Sequence, residues 1–218
     1  MSFRLVIFMF VYMVISNDEE FWNTLTHFIG LIASIAGIFF LLYFNSQLPL
    51  LSFLGVLLFG FGLVSVYLSS TLYHYFSDPI LKEKLRIFDH ISIYYLIAGS
   101  YAPVCLITLL DKSGLYIFIA VCLIAILGTL FKLFYTGKYE KLSLALYLLM
   151  GWVIIVDIRT LFEILELNAI ILLVLSGLSY TVGTIFYSRR EKYAHTIWHL
   201  FVLSGSTFHY FFVLFYII

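Results

Sequence analysis

Residues 194–217 read AHTIWHLFVLSGSTFHYFFVLFYI, a run of 24 residues without Asp, Glu, Lys or Arg. A helix that crosses the hydrocarbon core of a bilayer needs about 20 predominantly apolar residues, so this stretch is long enough to span a membrane. His195 and His199 lie one helical turn apart within it and project to one side of the helix. Ionisable side chains inside a span are costly and by default indicate a functional site.

Similar apolar runs recur along the whole chain. The 218 residues are 63% hydrophobic, 20% aromatic and only 11% charged, with a mean hydropathy of +1.08. This composition excludes a water-soluble domain and predicts an all-α integral membrane protein with a seven-transmembrane helix bundle. The predicted spans are residues 22–44, 48–76, 86–109, 114–134, 141–162, 168–187 and 194–217.

The N-terminal segment is apolar but too short to span. Arg4 is followed by apolar residues up to Ile15, about eleven residues in all, which resembles the core of a signal peptide. No small-x-small cleavage site precedes Asn17, which favours a segment that is not cleaved. We therefore predict an interfacial helix at residues 1–16 and the membrane domain at residues 17–218.

The basic residues predict the orientation of the bundle in the cell membrane. Cytoplasmic loops of membrane proteins carry an excess of Lys and Arg. The connections after the first, third and fifth spans hold only Lys112 and Arg159. Those after the second, fourth and sixth hold nine basic residues: Lys82, Lys84, Arg86, Lys132, Lys138, Lys141, Arg189, Arg190 and Lys192. The second set is expected to be cytoplasmic, which places the N-terminus inside and the C-terminus outside.

This topology brings several polar residues to one depth. His74 is expected near the inner end of the second span, Asp89 at the start of the third, and His195 with His199 at the start of the seventh. Three histidines and an acid at one depth match a catalytic zinc site that keeps its fourth position open for water. Ser70 lies four residues before His74 and therefore shares its helix face.

Simpler interpretations exist for these residues. The three histidines could hydrogen-bond between helices without a metal. Asp89 could serve only as an acid at a helix start, where the helix dipole favours it, and Ser70 could be a structural donor. Three further residues are weaker candidates for orienting the ligands or lining the site: Asn23, His27 and His209.

Six ordered motifs resemble the hemolysin III family. They are NTLTH at 23–27, STLYH at 70–74, FDHI at 88–91, AGSYAP at 98–103, GW at 151–152 and HTIWH at 195–199. That family is the bacterial branch of the progestin and adipoQ receptors and is grouped with the alkaline ceramidases among metal-dependent membrane hydrolases. The resemblance implies seven helices, zinc held by His74, His195 and His199, and Asp89 and Ser70 beside the reacting water. Ser100 and Ala102 depart from it, because the family more often has threonines there.

Three functions are compatible with these observations. Zinc and Asp89 together would support hydrolysis of a lipid amide or ester reached from the inner leaflet. Zinc could instead be structural in a lipid-sensing or membrane-homeostasis protein. A cytolysin, suggested by the family name, fits poorly with an evenly hydrophobic chain. We expect membrane lipids as partners, and no motif for a nucleotide or a nucleic acid is present.

Overall fold

The structure, a computed structural model, describes residues 18–46 and 49–218, so the predicted leader at residues 1–16 lies outside the described residues. Seven helical segments are long and apolar enough to cross a membrane. The protein is therefore a seven-span, all-helical membrane protein, as predicted. The helices of the bundle are α1 (Asp18–Phe44), α2 (Leu50–Tyr75), α3 (Pro79–Pro103), α4 (Gly114–Tyr135), α5 (Glu140–Gly151), α6 (Ile158–Ile164), α7 (Leu167–Tyr187) and α8 (Ala194–Tyr216).

The helix of the third span begins several residues before the apolar stretch predicted from residue 86. Asp78 caps α3 by accepting a hydrogen bond of 2.8 Å from the Leu81 backbone N–H, and Pro79 occupies the first turn. Both features favour a helix start. As a result, the charged segment around Arg86 is already helical, and Arg86 lies one turn before Asp89 on the same face.

Small residues let α2 and α3 approach closely. A Cβ added at Gly62 would lie 2.6 Å from the carbonyl oxygen of Tyr95, and one added at Gly99 would lie 2.6 Å from that of Leu58. Side chains at these positions would force the backbones apart, and such small-residue contacts are common between membrane helices. This contact fixes Ser70 and His74 on α2 beside Asp89 on α3.

The fifth span is broken in its middle. It consists of α5, a 3-10 turn at Val153–Asp157 and α6, in place of the single helix expected at 141–162. The Tyr101 hydroxyl lies at the break, 2.9 Å from the carbonyl oxygen of Gly151 and 3.0 Å from that of Met150. It also accepts a hydrogen bond of 3.0 Å from the Ile154 backbone N–H. Backbone groups at membrane depth need such partners when a helix is interrupted.

Helix α8 completes the bundle by packing against α1 and α7. Thr196 donates a hydrogen bond of 2.5 Å to the side-chain oxygen of Asn23, and Tyr210 donates one of 3.1 Å to the carbonyl oxygen of Gly37. These two hydrogen bonds hold both ends of α8 against α1. The first two turns of α8 thereby face the last turn of α2.

Candidate metal centre

Three histidines from two distant segments form one cluster, as the sequence predicted. His74 comes from the last turn of α2, and His195 and His199 come from the first two turns of α8. One ring nitrogen of each lies within 4.8 Å of those of the other two. A group of three imidazole nitrogens this close together could hold a metal ion.

The His74 ring is held by an acid that the sequence analysis did not assign to the site. Its Nδ1 lies 2.6 Å from one carboxylate oxygen of Glu20, and Lys82 lies 2.9 Å from the other oxygen. Its Nε2 is buried and has no hydrogen-bond partner among the described residues. A histidine that donates Nδ1–H to a carboxylate and keeps Nε2 free is oriented as metal-binding histidines usually are.

The His199 ring is held in a similar way by the backbone of α1. Its Nδ1 lies 3.1 Å from the carbonyl oxygen of Asn23 and 3.2 Å from the Thr26 hydroxyl. Because a carbonyl oxygen can only accept, Nδ1 carries the hydrogen and Nε2 is left with a lone pair. In both His74 and His199, Nδ1 is engaged and Nε2 is the nitrogen left available to a metal ion.

His27 and His209 occupy different places. The His27 ring stacks on that of His199, with centroids 3.6 Å apart, and both of its nitrogens lack a partner among the described residues. It contacts the cluster without belonging to the group of three. His209 lies farther along α8, where its Nε2 is 3.0 Å from the carbonyl oxygen of Ser100 and its ring meets that of Phe59.

Asp89 and Ser70 lie beside the cluster, and neither belongs to the group of metal-ligating atoms. Asp89 lines one cavity together with Ser70 and another together with His74. Ser70 is buried. Asp89 thus lies near the three-histidine group and outside that group of three.

An apolar cavity of about 190 Å³ leads away from the histidines between α3, the fifth span, α7 and α8. Its lining runs from Ser70 and His199 to His209 and on to Ile155 and Ile158 near the break in the fifth span. Most of the lining is aliphatic or aromatic, which suits a hydrocarbon chain.

A second cavity, of about 510 Å³, opens on the other side of the cluster. We call it the polar vestibule. Its walls carry polar side chains from several helices: Glu20, Asn23, Tyr73, Arg86, Glu140 and Tyr187. Asp89, His90, Tyr187 and His195 line both cavities, so the two spaces meet at the candidate metal centre.

A buried ion pair that the sequence pattern does not predict supports the vestibule wall. Lys132 on α4 is fully buried, and its ammonium group lies 2.8 Å from the Glu140 carboxylate. Glu140 also accepts a hydrogen bond of 2.8 Å from the Gly137 backbone N–H. The two residues are eight apart, on different helices, so helix periodicity does not connect them.

The chain is similar to a known protein family and to several of its members. The profile of a family described as "Haemolysin-III related" matches residues 15–210. The chain is 40% identical over 203 residues to the "Hemolysin-3 homolog" of Bacillus subtilis (strain 168), which covers 91% of this chain and 94% of that protein. It is 39% identical over 202 residues to "Hemolysin-3" of Bacillus cereus, with 92% of each chain covered.

A human protein is also similar. The "Monocyte to macrophage differentiation factor" of Homo sapiens is 30% identical over 166 residues, which cover 71% of this chain and 66% of that protein. This similarity supports the relation to the progestin and adipoQ receptor superfamily that the six motifs implied.

Proposed function

Because the chain belongs to the haemolysin-III-related family of membrane proteins, we propose that it binds zinc at His74, His195 and His199 and hydrolyses an amide or ester bond of a membrane lipid. The observation that carries this proposal is the position of the cluster. Three histidine nitrogens lie within 4.8 Å of one another at the junction of an apolar cavity and a polar vestibule.

The donor set fits zinc. Imidazole nitrogens are among its preferred ligands, and three protein ligands with an open position are typical of catalytic zinc sites. The buried Nε2 of His74 has no other partner among the described residues, and burial of an unpaired polar atom is costly. A metal ion would supply the missing partner, while Glu20 would keep the ring in place.

The chain itself would provide the proton transfer. Zinc, when bound, would act as a Lewis acid toward the carbonyl oxygen and activate water. In the hydrolysis, water adds its oxygen to the carbonyl carbon, and the bond from that carbon to the amide nitrogen or ester oxygen breaks. Asp89 would accept the proton that the water loses and return it to the leaving nitrogen or oxygen. Ser70, which lines the apolar cavity together with Asp89, would hold the carboxylate in position.

The apolar cavity indicates the class of substrate. A lipid acyl chain would lie along it, with the carbonyl group at the end near the histidines. Ile155, at the break in the fifth span, lines this cavity and is 51% exposed on the outside of the bundle. We infer that a lipid enters the cavity sideways beside this residue.

Replacing Asp89 by Asn tests the mechanism, because Asn keeps the size of the side chain and removes the base. Purified protein is incubated with membrane lipids, and released fatty acid is followed by mass spectrometry, while zinc is measured by elemental analysis. We expect about one zinc per chain in both proteins and a fall in hydrolysis of roughly 10²–10⁴ in Asp89→Asn.

Control proteins separate the possible outcomes. His195→Ala/His199→Ala should lose both zinc and activity and should melt at a lower temperature, because a bound ligand stabilises the native state. Equal activity in wild type and Asp89→Asn would refute the assigned base. Zinc without any hydrolysis in the wild type would favour a structural ion in a lipid-sensing protein, and full zinc content in the double variant would refute the metal site.

A further inference from the structure

Arg86 is a cationic side chain whose role the three-histidine centre does not explain. It lies on α3, one turn before Asp89, and lines the polar vestibule. Its Nε is buried and has no hydrogen-bond partner among residues 18–46 and 49–218. No acidic side chain within the same ranges forms an ion pair with it. A half-buried guanidinium without a partner is unusual, because buried charges are normally paired.

Two of the acids that line the vestibule have basic partners. Glu20 lies 2.9 Å from Lys82 and 2.6 Å from His74, and Glu140 lies 2.8 Å from Lys132. These pairs offset the negative charge of Glu20 and Glu140, whereas Asp89, which also lines the space, is the proposed base. The guanidinium of Arg86 is therefore the positive group that remains available for a ligand.

The chain also makes room for this guanidinium. Gly137, in the connection between α4 and α5, has a φ of +81°, which L side chains rarely adopt. A Cβ at that position would collide with Nη2 of Arg86. The connection therefore packs directly on the guanidinium and limits its movement. Such a preorganised fork binds oxyanions in two-point contacts.

We propose that Arg86 binds a phosphate group of the lipid headgroup while the acyl chain lies in the apolar cavity. The proposal rests on the proposed lipid hydrolysis for the identity of its substrate, and it adds that the preferred lipid is a phospholipid. Hydroxyl groups of Tyr73 and Tyr187 line the same vestibule and can donate further hydrogen bonds to phosphate oxygens. Arg86 would be a specificity-determining residue, since it lies beside the reacting groups without taking part in proton transfer.

Lipid binding to the purified full chain tests this directly and needs no turnover. Native mass spectrometry in a neutral detergent compares dioleoyl phosphatidic acid with dioleoylglycerol, which has the same acyl chains and no phosphate. We expect the wild type to bind the phosphatidic acid at least about tenfold more tightly, the effect of one charge-assisted contact. Arg86→Gln should bind the two lipids equally, and Arg86→Lys should keep part of the preference.

A matched control separates this contact from general attraction to a basic surface. Lys84 is exposed on the same turn of α3 and does not line the vestibule, so Lys84→Gln removes the same charge and should keep the full preference. Melting temperatures show that the variants are folded. Inorganic phosphate is then added as a competitor. If it displaces the lipid, the site recognises the phosphate group alone; if it does not, the site recognises the whole phospholipid.

Two results would overturn the proposal: equal binding of both lipids by the wild type, or an undiminished preference in folded Arg86→Gln. Neither result depends on zinc or on hydrolysis. Conversely, a wild type without zinc that still prefers phosphatidic acid would refute the hydrolase and leave the phosphate site standing. The two proposals can therefore fail separately.

Discussion

Glu20 controls the geometry of the candidate metal centre through a single hydrogen bond. Its carboxylate accepts from Nδ1 of His74, and this bond directs Nε2 into the cluster. Replacing Glu20 by Gln removes the charge that polarises the ring. We expect zinc affinity to fall about 10–100-fold, the usual effect of losing such a partner, as measured by competition with a chelator of known affinity.

The neighbouring acid provides the control for this prediction. Asp18 lies in the same first turn of α1 and is exposed. Asp18→Asn removes an equal charge from the same helix start and should leave zinc affinity unchanged. An equal loss in both variants would assign the effect to the overall charge at this helix end rather than to the bond with His74.

The histidines of the site were predictable from the sequence, and the residue that orients His74 was missed. The spacing of His195 and His199 places them on one helix face. The predicted topology places His74 at the same depth in the membrane. Glu20 was missed because it stands in a run of three acids at a helix start, where acidic residues are common. A signal was present, since Glu20, Asn23 and His27 are three and seven residues apart and share one face of α1. The Lys132–Glu140 pair has no such signal, because only the tertiary packing brings it together.

At the level of helices, the sequence predicts where spans lie and fails to predict how they are interrupted. The span expected at 48–76 is α2, Leu50–Tyr75, and the one expected at 194–217 is α8, Ala194–Tyr216. The break after α5 was not predicted because its residues, from Trp152 to Val156, are as apolar as a continuous helix would be. Hydropathy reflects the free energy of transferring a residue from water into the bilayer. It contains no information on how the backbone is hydrogen-bonded.

Tyr101 is expected to stabilise this break. Its hydroxyl serves two carbonyl groups, of Met150 and Gly151, and the N–H of Ile154. Tyr101→Phe would leave these buried backbone groups with fewer partners, at a cost of about 1–3 kcal/mol. We expect a lower melting temperature. Tyr116→Phe, which alters a hydroxyl on a side chain that is 78% exposed, should leave the melting temperature unchanged.

The Tyr101→Phe variant also shows whether the break in the fifth span affects only stability or the metal centre as well. Because the break lies beside the apolar cavity and away from the histidines, zinc content should stay at the wild-type level in Tyr101→Phe. Loss of zinc together with stability would show that the fifth span supports the metal centre as well. An unchanged melting temperature would mean that the bilayer or detergent tolerates the break without the tyrosine.

In the whole molecule, the basic residues and the polar vestibule lie at the same end of the bundle. The polar vestibule, lined by Arg86 and Gly137, opens at the end of the bundle that carries the set of nine basic residues, which includes Arg86 and lies in the connections and the adjoining helix turns. The apolar cavity runs from there toward the opposite end. A lipid bound with its headgroup in the vestibule and its chain in the cavity would thus have the orientation of a lipid in the leaflet on the basic side.

The side of the membrane that this leaflet faces can be tested by topology mapping. Because basic loops remain in the cytoplasm, the C-terminus after α8 should be outside. Alkaline phosphatase fused after Ile218 should be active, whereas a green fluorescent protein fused there should not fluoresce. Fusions after Arg190, between α7 and α8, should give the opposite pattern. If the patterns are reversed, the vestibule faces the outside, and the lipid that reaches the histidines must come from the outer leaflet.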